Sequence, residues 1–300
     1  MRLSLCIATF NEEENIHYPL DSAYDLVDEV VIVDGGSTDK TIEKTRSYGK
    51  KVRVFIEKNP AMFHINKQKA IERAKGEWIL QLDADEALSK ELKKEISLIV
   101  TGPVTDFPPV SARSNVPLRA AGSPSIRATR QQFIVYKIPR KNFFLTRFLT
   151  KGGQYPDYTI RLYKNGSVRF PCRSVHENVI LTTSEVEEER SDGIISRKSK
   201  VYSLKSNIGY LKSPILHYAD PNFSRYLKRW DRYTTLDAQM LVKEGKKPSF
   251  ISYLFIKPAV WFFSTYFCHL GFVDGIPGFI FSLFSSLRFW KIYFKWRKIR

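Results

Sequence analysis

Gly76-Glu77-Trp78-Ile79-Leu80-Gln81-Leu82-Asp83-Ala84-Asp85-Glu86 decides how the rest of the chain is read. Trp78, Ile79, Leu80 and Leu82 form an apolar run of strand length, and the run ends in acid. Asp83 and Asp85 stand two apart, so continued extended backbone would put both carboxylates on one face. Two hard oxygen donors at the carboxyl end of a strand suit Mg²⁺ or Mn²⁺ bound against a diphosphate. In an open α/β sheet that end is where ligands bind.

Working outward, the same pattern recurs on the amino-terminal side. Leu3 to Thr9 is an apolar strand, followed by Asn11 as a helix N-cap and Glu12, Glu13 and Glu14 at the helix's positive end, with Pro19 limiting or bending that helix. Glu29 to Val33 is a second strand and ends in Asp34-Gly35-Gly36-Ser37-Thr38-Asp39, where two glycines permit a tight turn. A helix from Lys40 to about Tyr48, a strand at Val52 to Ile56 and a helix from His64 to Lys75 lead back to the opening stretch. A helix from Ser89 to Val100 follows it. Strand then helix, four times over, predicts an α/β fold with a doubly wound, mostly parallel sheet. No Gly-x-Gly-x-x-Gly follows the first strand, which excludes the dinucleotide-binding variant.

The chain has 300 residues and a formal net charge of +17, a balance that calls for an anionic partner. Its three cysteines, Cys6, Cys172 and Cys268, lie too far apart for a metal site or a disulfide framework. The apolar run at the amino terminus is too short for a secretory signal.

Three segments, Ala8-Thr9-Phe10-Asn11-Glu12-Glu13, Val33 to Asp39 and Leu82-Asp83-Ala84-Asp85, resemble in order and spacing those of the family 2 glycosyltransferases, which have the GT-A fold. The resemblance implies a nucleotide-sugar donor, usually a UDP-sugar, and inversion at the anomeric carbon. It places Thr9, Asn11 and Glu13 in the nucleotide pocket, Asp34 at the base or ribose, Asp83 near the ribose and diphosphate, and Asp85 as the principal metal ligand. Gly35 stands where many members carry a second acidic residue.

Residues 101–132, with five prolines and scattered arginine, have no period and read as a mobile insertion. Beyond it, Lys151-Gly152-Gly153-Gln154-Tyr155-Pro156-Asp157 sets a glycine pair ahead of an acidic residue. By the resemblance Asp157 is the catalytic base, with Glu177 its rival; an Asp157 paired with Arg161 in a Pro-Asp turn is the structural alternative. His176 is the candidate to complete the metal shell, and His217 competes with it. Tyr-Pro-Asp, Arg-Leu-Tyr and Val-His-Glu in succession are similar to the lipopolysaccharide-core β-glucosyltransferase branch, which implies a lipopolysaccharide-core or other lipid-linked acceptor.

Residues 1–218 thus read as the catalytic domain and 219–300 as a basic, aromatic helical appendage. Asn222 to Glu244 is a long basic helix; 250–287 is apolar but interrupted, with no stretch reaching the roughly 18–20 residues a spanning helix needs. Two shorter helices around a Gly271–Gly278 break fit interfacial or re-entrant insertion at the cytoplasmic face of the inner membrane, and the acid-free tail from Arg288 suits anionic headgroups. Packing of the same hairpin on the enzyme or in a homodimer is the alternative. No nucleic acid is expected, although a non-catalytic nucleic-acid or membrane adaptor is the reading from another class. Transfer to a polyprenyl phosphate is the second enzymatic one.

Overall fold

In the computed structural model the described residues are 1–60, 62–101, 133–172, 179–182, 186–191, 194–199 and 208–300. The insertion at 102–132 and the Ser174-Val175-His176-Glu177-Asn178 segment lie outside them. Contacts divide the chain into two units, Met1–Ile138 with Tyr158–Ile215, and Pro139–Asp157 with Leu216–Arg300.

The first unit is built on four parallel strands. β1 (Leu3–Thr9) lies between β2 (Glu29–Asp34) and β4 (Trp78–Gln81), and β3 (Val52–Ile56) flanks β2. Their helices are α1 (His17–Ala23), α2 (Thr41–Ser47), α3 (His64–Arg73) and, after the short β5 (Glu86–Leu88), α4 (Lys90–Thr101). Leu5, Ile7, Val30, Ile32, Leu80 and Leu82 pack into one core; Cys6, Val31, Val33 and Ile79 pack into another. Alternate residues of each strand therefore enter different cores, which is why these strands are apolar throughout. β6 (Val135–Phe144) starts in this unit, and β8 (Asp157–Lys164) runs antiparallel to β4. β9 (Val168–Arg169) pairs with β10 (Ile180–Leu181), β11 (Val186–Ser191) with β12 (Ile194–Ser199), and β13 (Ile208–Tyr210) with β6.

Gly76 opens β4 for a steric reason. A Cβ there would stand 2.5 Å from Ser4 Oγ, to which the Gly76 amide donates at 2.8 Å. Ser4 in turn donates to the buried Glu29, which also pairs with Arg53.

Two local expectations are corrected. Asn11 does not cap a helix: it has φ +53°, residues 12–16 form turns, and α1 starts at His17. Pro19 then sits in the first helical turn, where no amide donor is needed. The extended backbone of β4 stops at Gln81; Ala84 and Asp85 form a turn that returns the chain into β5.

In the second unit β6 ends in a hairpin with β7 (Arg147–Phe148) across a turn at Leu145, φ +57°. β14 (Ile215–Asp220) leads to α5 (Phe223–Lys243), capped by Asn222 Oδ1 accepting from the Arg225 amide. A helical arm over 250–268, with α6 (Lys257–Phe263) between two π-helical segments, turns through Gly271–Asp274 into α7 (Gly275–Ile299). Ala238 of α5 packs with Ile292, Tyr293 and Trp296 of α7.

The expectation of two shorter helices around a Gly271–Gly278 break holds in part: the first arm ends at Cys268 and the chain turns through Gly271–Asp274, but the second helix is long and starts at Gly275. Gly278 lies inside α7, and a Cβ on it would stand 2.0 Å from the Gly271 carbonyl oxygen. This glycine serves a close backbone approach rather than a helix stop. Gly271–Ile299 is, by length and composition, long and apolar enough to cross a bilayer, with an 18-residue window of mean hydropathy 1.2. Its carboxyl half nevertheless carries Arg288, Lys291, Lys295, Arg297 and Lys298.

Candidate active site

The ends of β1 and β2 lie side by side, with Thr9 in register with Asp34. Asp34 is fully buried, and both of its oxygens are occupied. Oδ1 accepts from the Gly36 and Ser37 amides at 2.9 and 2.7 Å; Oδ2 accepts from Thr9 Oγ1 at 2.8 Å and Ser37 Oγ at 2.6 Å. The carboxylate thereby holds the Gly35-Gly36 turn in shape, with Gly36 at φ +82°. Asn11 Oδ1 accepts from the Thr38 amide, and Glu13 Oε2 from the Lys40 amide, both at 2.9 Å. Thr9, Asn11, Glu13 and Asp34 thus form one hydrogen-bonded rim, assembled from two strand ends that are 25 residues apart in sequence.

Beyond β4 a charge cluster replaces the simple acidic pair. Arg161 of β8 is 5% exposed and donates from Nη2 to Asp83 Oδ2 and to Glu86 Oε1, both at 2.7 Å. Its Nη1 meets Gln81 Oε1. Lys67 of α3 forms an ion pair with Asp83 Oδ1, and the Asp83 amide donates to Glu86 Oε2 at 2.9 Å. Burial pushes the Asp83 carboxyl upward, but Arg161 and Lys67 outweigh it and hold the group well below the ordinary carboxylate range. Asp85 is half-buried in the turn that follows.

These donors fit a hard cation shared with a diphosphate, since Mg²⁺ commonly takes only one or two carboxylates beside substrate phosphates and water. Asp83 is met by two cations, and Asp85 is the second carboxylate at the end of β4 that would hold such a metal. Among the described residues no group of three His, Cys, Asp or Glu side chains forms a ready cage. His176 and Glu177 fall outside the described residues.

The second unit contains a cavity of about 240 Å³. Asp157, Arg140, Gln154 and His217 line it, with Phe143 and Phe281 as aromatic walls. Arg140 grips one oxygen of Asp157, donating from Nε at 3.0 Å and from Nη2 at 2.6 Å to Oδ2. The Asp157 side chain keeps 41% of its surface exposed. His217 Nδ1 lies 2.7 Å from Asn142 Oδ1, a tie that fixes the ring in this wall. The alternative pairing of Asp157 with Arg161 is not formed: Arg161 serves Asp83 and Glu86, and Arg140 serves Asp157. Lys67, Glu86 and Arg140 were not singled out by the sequence. Each acts through an ion pair distant along the chain, and local spacing carries no trace of such a partner.

Comparison with known proteins gives these features a family. Residues 4–168, more than half of the chain, match the glycosyl transferase family 2 model. A glycosyltransferase of Rickettsia bellii is 28% identical over 295 residues, covering 97% of this chain and 85% of the relative. The lipopolysaccharide core biosynthesis glycosyltransferase LpsC of Rhizobium meliloti is 23% identical over 301 residues, covering 96% and 92%. Among solved structures, residues 1–349 of S. aureus TarS in complex with UDP overlap at TM-score 0.45 and 15% identity, covering 100% of this chain and 92% of that one. The chain belongs to glycosyltransferase family 2, and its mixed α/β architecture is of the GT-A class.

Proposed function

We propose that this glycosyltransferase moves a hexose from a UDP-sugar to a hydroxyl of a lipopolysaccharide-core or other lipid-linked glycan, in one inverting displacement. The observation that carries the reading is Asp157 in a cavity large enough for one sugar ring, held through one oxygen by Arg140 and exposed on its remaining surface. A carboxylate so held can take the proton of an acceptor hydroxyl as the new glycosidic C–O bond forms and the bond to the departing diphosphate breaks. Aromatic walls beside polar side chains suit a sugar, whose ring offers both apolar faces and hydroxyls. Mg²⁺ or Mn²⁺, held by Asp85 with His176 as a further candidate ligand, would neutralise charge on that diphosphate. LpsC, related along nearly the whole chain, supports the acceptor class.

The site works at the cytoplasmic face of the inner membrane. The second unit carries 18 Lys and Arg against 6 Asp and Glu, so it holds most of the net charge. The same unit exposes Ile276 at 75%, Val260 at 63% and Ile251 at 62%. Basic and apolar groups exposed together favour an anionic lipid surface. The cations of α7 suit a helix lying in the headgroup layer rather than crossing the bilayer.

The test is a donor panel with rough lipopolysaccharide as acceptor, run on wild type and Asp157→Asn. The variant should lose about 100-fold or more in transfer while UDP still binds. Full transfer by Asp157→Asn would shift the base to Glu177; full transfer with both residues neutralised would point to an acceptor that is already an anion, such as a polyprenyl phosphate.

A further inference from the structure

The proposed chemistry makes no use of Asp274, yet this carboxylate is 1% exposed. It sits in the tight turn between the two apolar helical arms, where Phe272, Val273 and Ile276 around it are open to solvent. Its oxygens reach back 124 residues. Oδ2 accepts from the Thr150 and Lys151 amides at 2.9 and 2.8 Å, and Oδ1 accepts from Thr150 Oγ1 at 2.8 Å. One residue further on, the Gly152 amide donates to the His269 carbonyl at 2.9 Å. Gly152 and Gly153 both have positive φ, +64° and +73°.

This loop delivers two of the cavity's polar groups. Leu149 precedes the clasped residues; Gln154 and Asp157 follow them; all three line the cavity. Within the loop, the Gln154 amide donates to Lys151 at 3.1 Å. Two consecutive glycines leave such a loop many conformations, and an external clasp is what selects one. The carboxyl-terminal segment also supplies a wall, since Phe281 of α7 stands edge-on to Phe144 at 5.6 Å and lines the same cavity.

We propose that Asp274 is a positioning residue for sugar transfer. It hangs the Thr150–Asp157 loop from the carboxyl-terminal turn, so that this segment builds the acceptor side of the site as well as any lipid contact. The inference rests on the reading of Asp157 given above. Asp274→Asn preserves size but removes the charge that both loop amides meet at Oδ2, and sets an amide donor where Oδ1 accepts from the Thr150 hydroxyl. Thr150→Val removes one hydroxyl donor and is the milder second variant.

The experiment uses the full chain, the UDP-sugar selected by the donor panel and rough lipopolysaccharide dispersed in detergent. Transfer and acceptor-free donor hydrolysis are measured side by side, with circular dichroism as the folding control. Asp274→Asn should lower kcat for transfer about 10- to 100-fold, the cost of a misplaced reacting group, and leave donor KM and hydrolysis within about twofold. Thr150→Val should show the same split to a smaller extent. Undiminished transfer in Asp274→Asn overturns the proposal, and so does a proportional fall of transfer and hydrolysis in both variants. If Asp157→Asn transfers normally while Asp274→Asn shows the split, the base assignment fails and the positioning role stands.

Discussion

The two units solve the problem of holding polar groups in opposite ways. In the first, side-chain carboxylates organise backbone turns at strand ends: Asp34 accepts four hydrogen bonds, and Asp83 is met by two cations, a side-chain amide and its neighbour Glu86. In the second, aromatic packing makes the walls, and one buried carboxylate clasps a glycine loop. The first unit carries much of its own order in strands and turns; the second borrows it from residues more than a hundred positions away. Rigid, saturated turns suit a donor nucleotide common to a whole family. A cavity assembled from loop, strand and helix can be reshaped for a particular acceptor.

That contrast can be broken by experiment. The largest effect is expected from Asp85→Ala, which should lower both transfer and donor hydrolysis about 1000-fold, since a centre stabilising the leaving group acts in both. Retained hydrolysis with Mn²⁺ would remove Asp85 from the donor side. Next, Arg161→Met strands the buried Glu86 and Asp83; it should cost about 3–5 kcal/mol of stability in denaturant unfolding, as broken buried ion pairs do. A smaller change would mean that Lys67 compensates Asp83 alone.

The second unit offers a surface counterpart. Ile276→Glu should weaken sedimentation with anionic phosphatidylglycerol vesicles about tenfold, the loss of one inserted side chain, without altering donor hydrolysis. Unchanged binding would favour protein as the cover of the apolar turn.

The smallest effect is in the acid limb of stability. The folded-state carboxyl of Asp83 lies below its unfolded value, so its contribution is complete above about pH 4 and fades as pH falls through the folded value. Melting temperatures between about pH 5 and 2 should therefore fall less steeply in Asp83→Asn than in wild type.

The four parallel strands and the Asp34 turn were legible because their causes are local. Continuous apolar runs mean strands covered on both sides, and Asp-Gly-Gly-Ser can close only a tight turn. The α/β class followed from that; Thr9, Asn11, Glu13 and Asp34 were singled out by the resemblance to family 2, and they share one hydrogen-bonded rim. Partners were not legible. Nothing near Arg161 in sequence announces Asp83 and Glu86, and nothing near Arg140 announces Asp157. The strand after the Ala84–Asp85 turn was missed because Glu86, Ala87 and Leu88 make only three residues, too few to show a period. Gly278 misled for a different reason: in a lone sequence, a glycine that interrupts a helix looks the same as one that admits another backbone.

Attachment of the 150–157 loop to the far end of the chain has a practical edge. Trimming the greasy carboxyl-terminal arms before Phe250 would be an ordinary step toward better-behaved protein. Here it would also remove Phe281 and Asp274, stripping the cavity beside Asp157 of a wall and the 150–157 loop of its latch. On the function proposed above, the shortened enzyme would spend its nucleotide-sugar on water, and its failure to glycosylate would say nothing about which acceptor the intact protein uses.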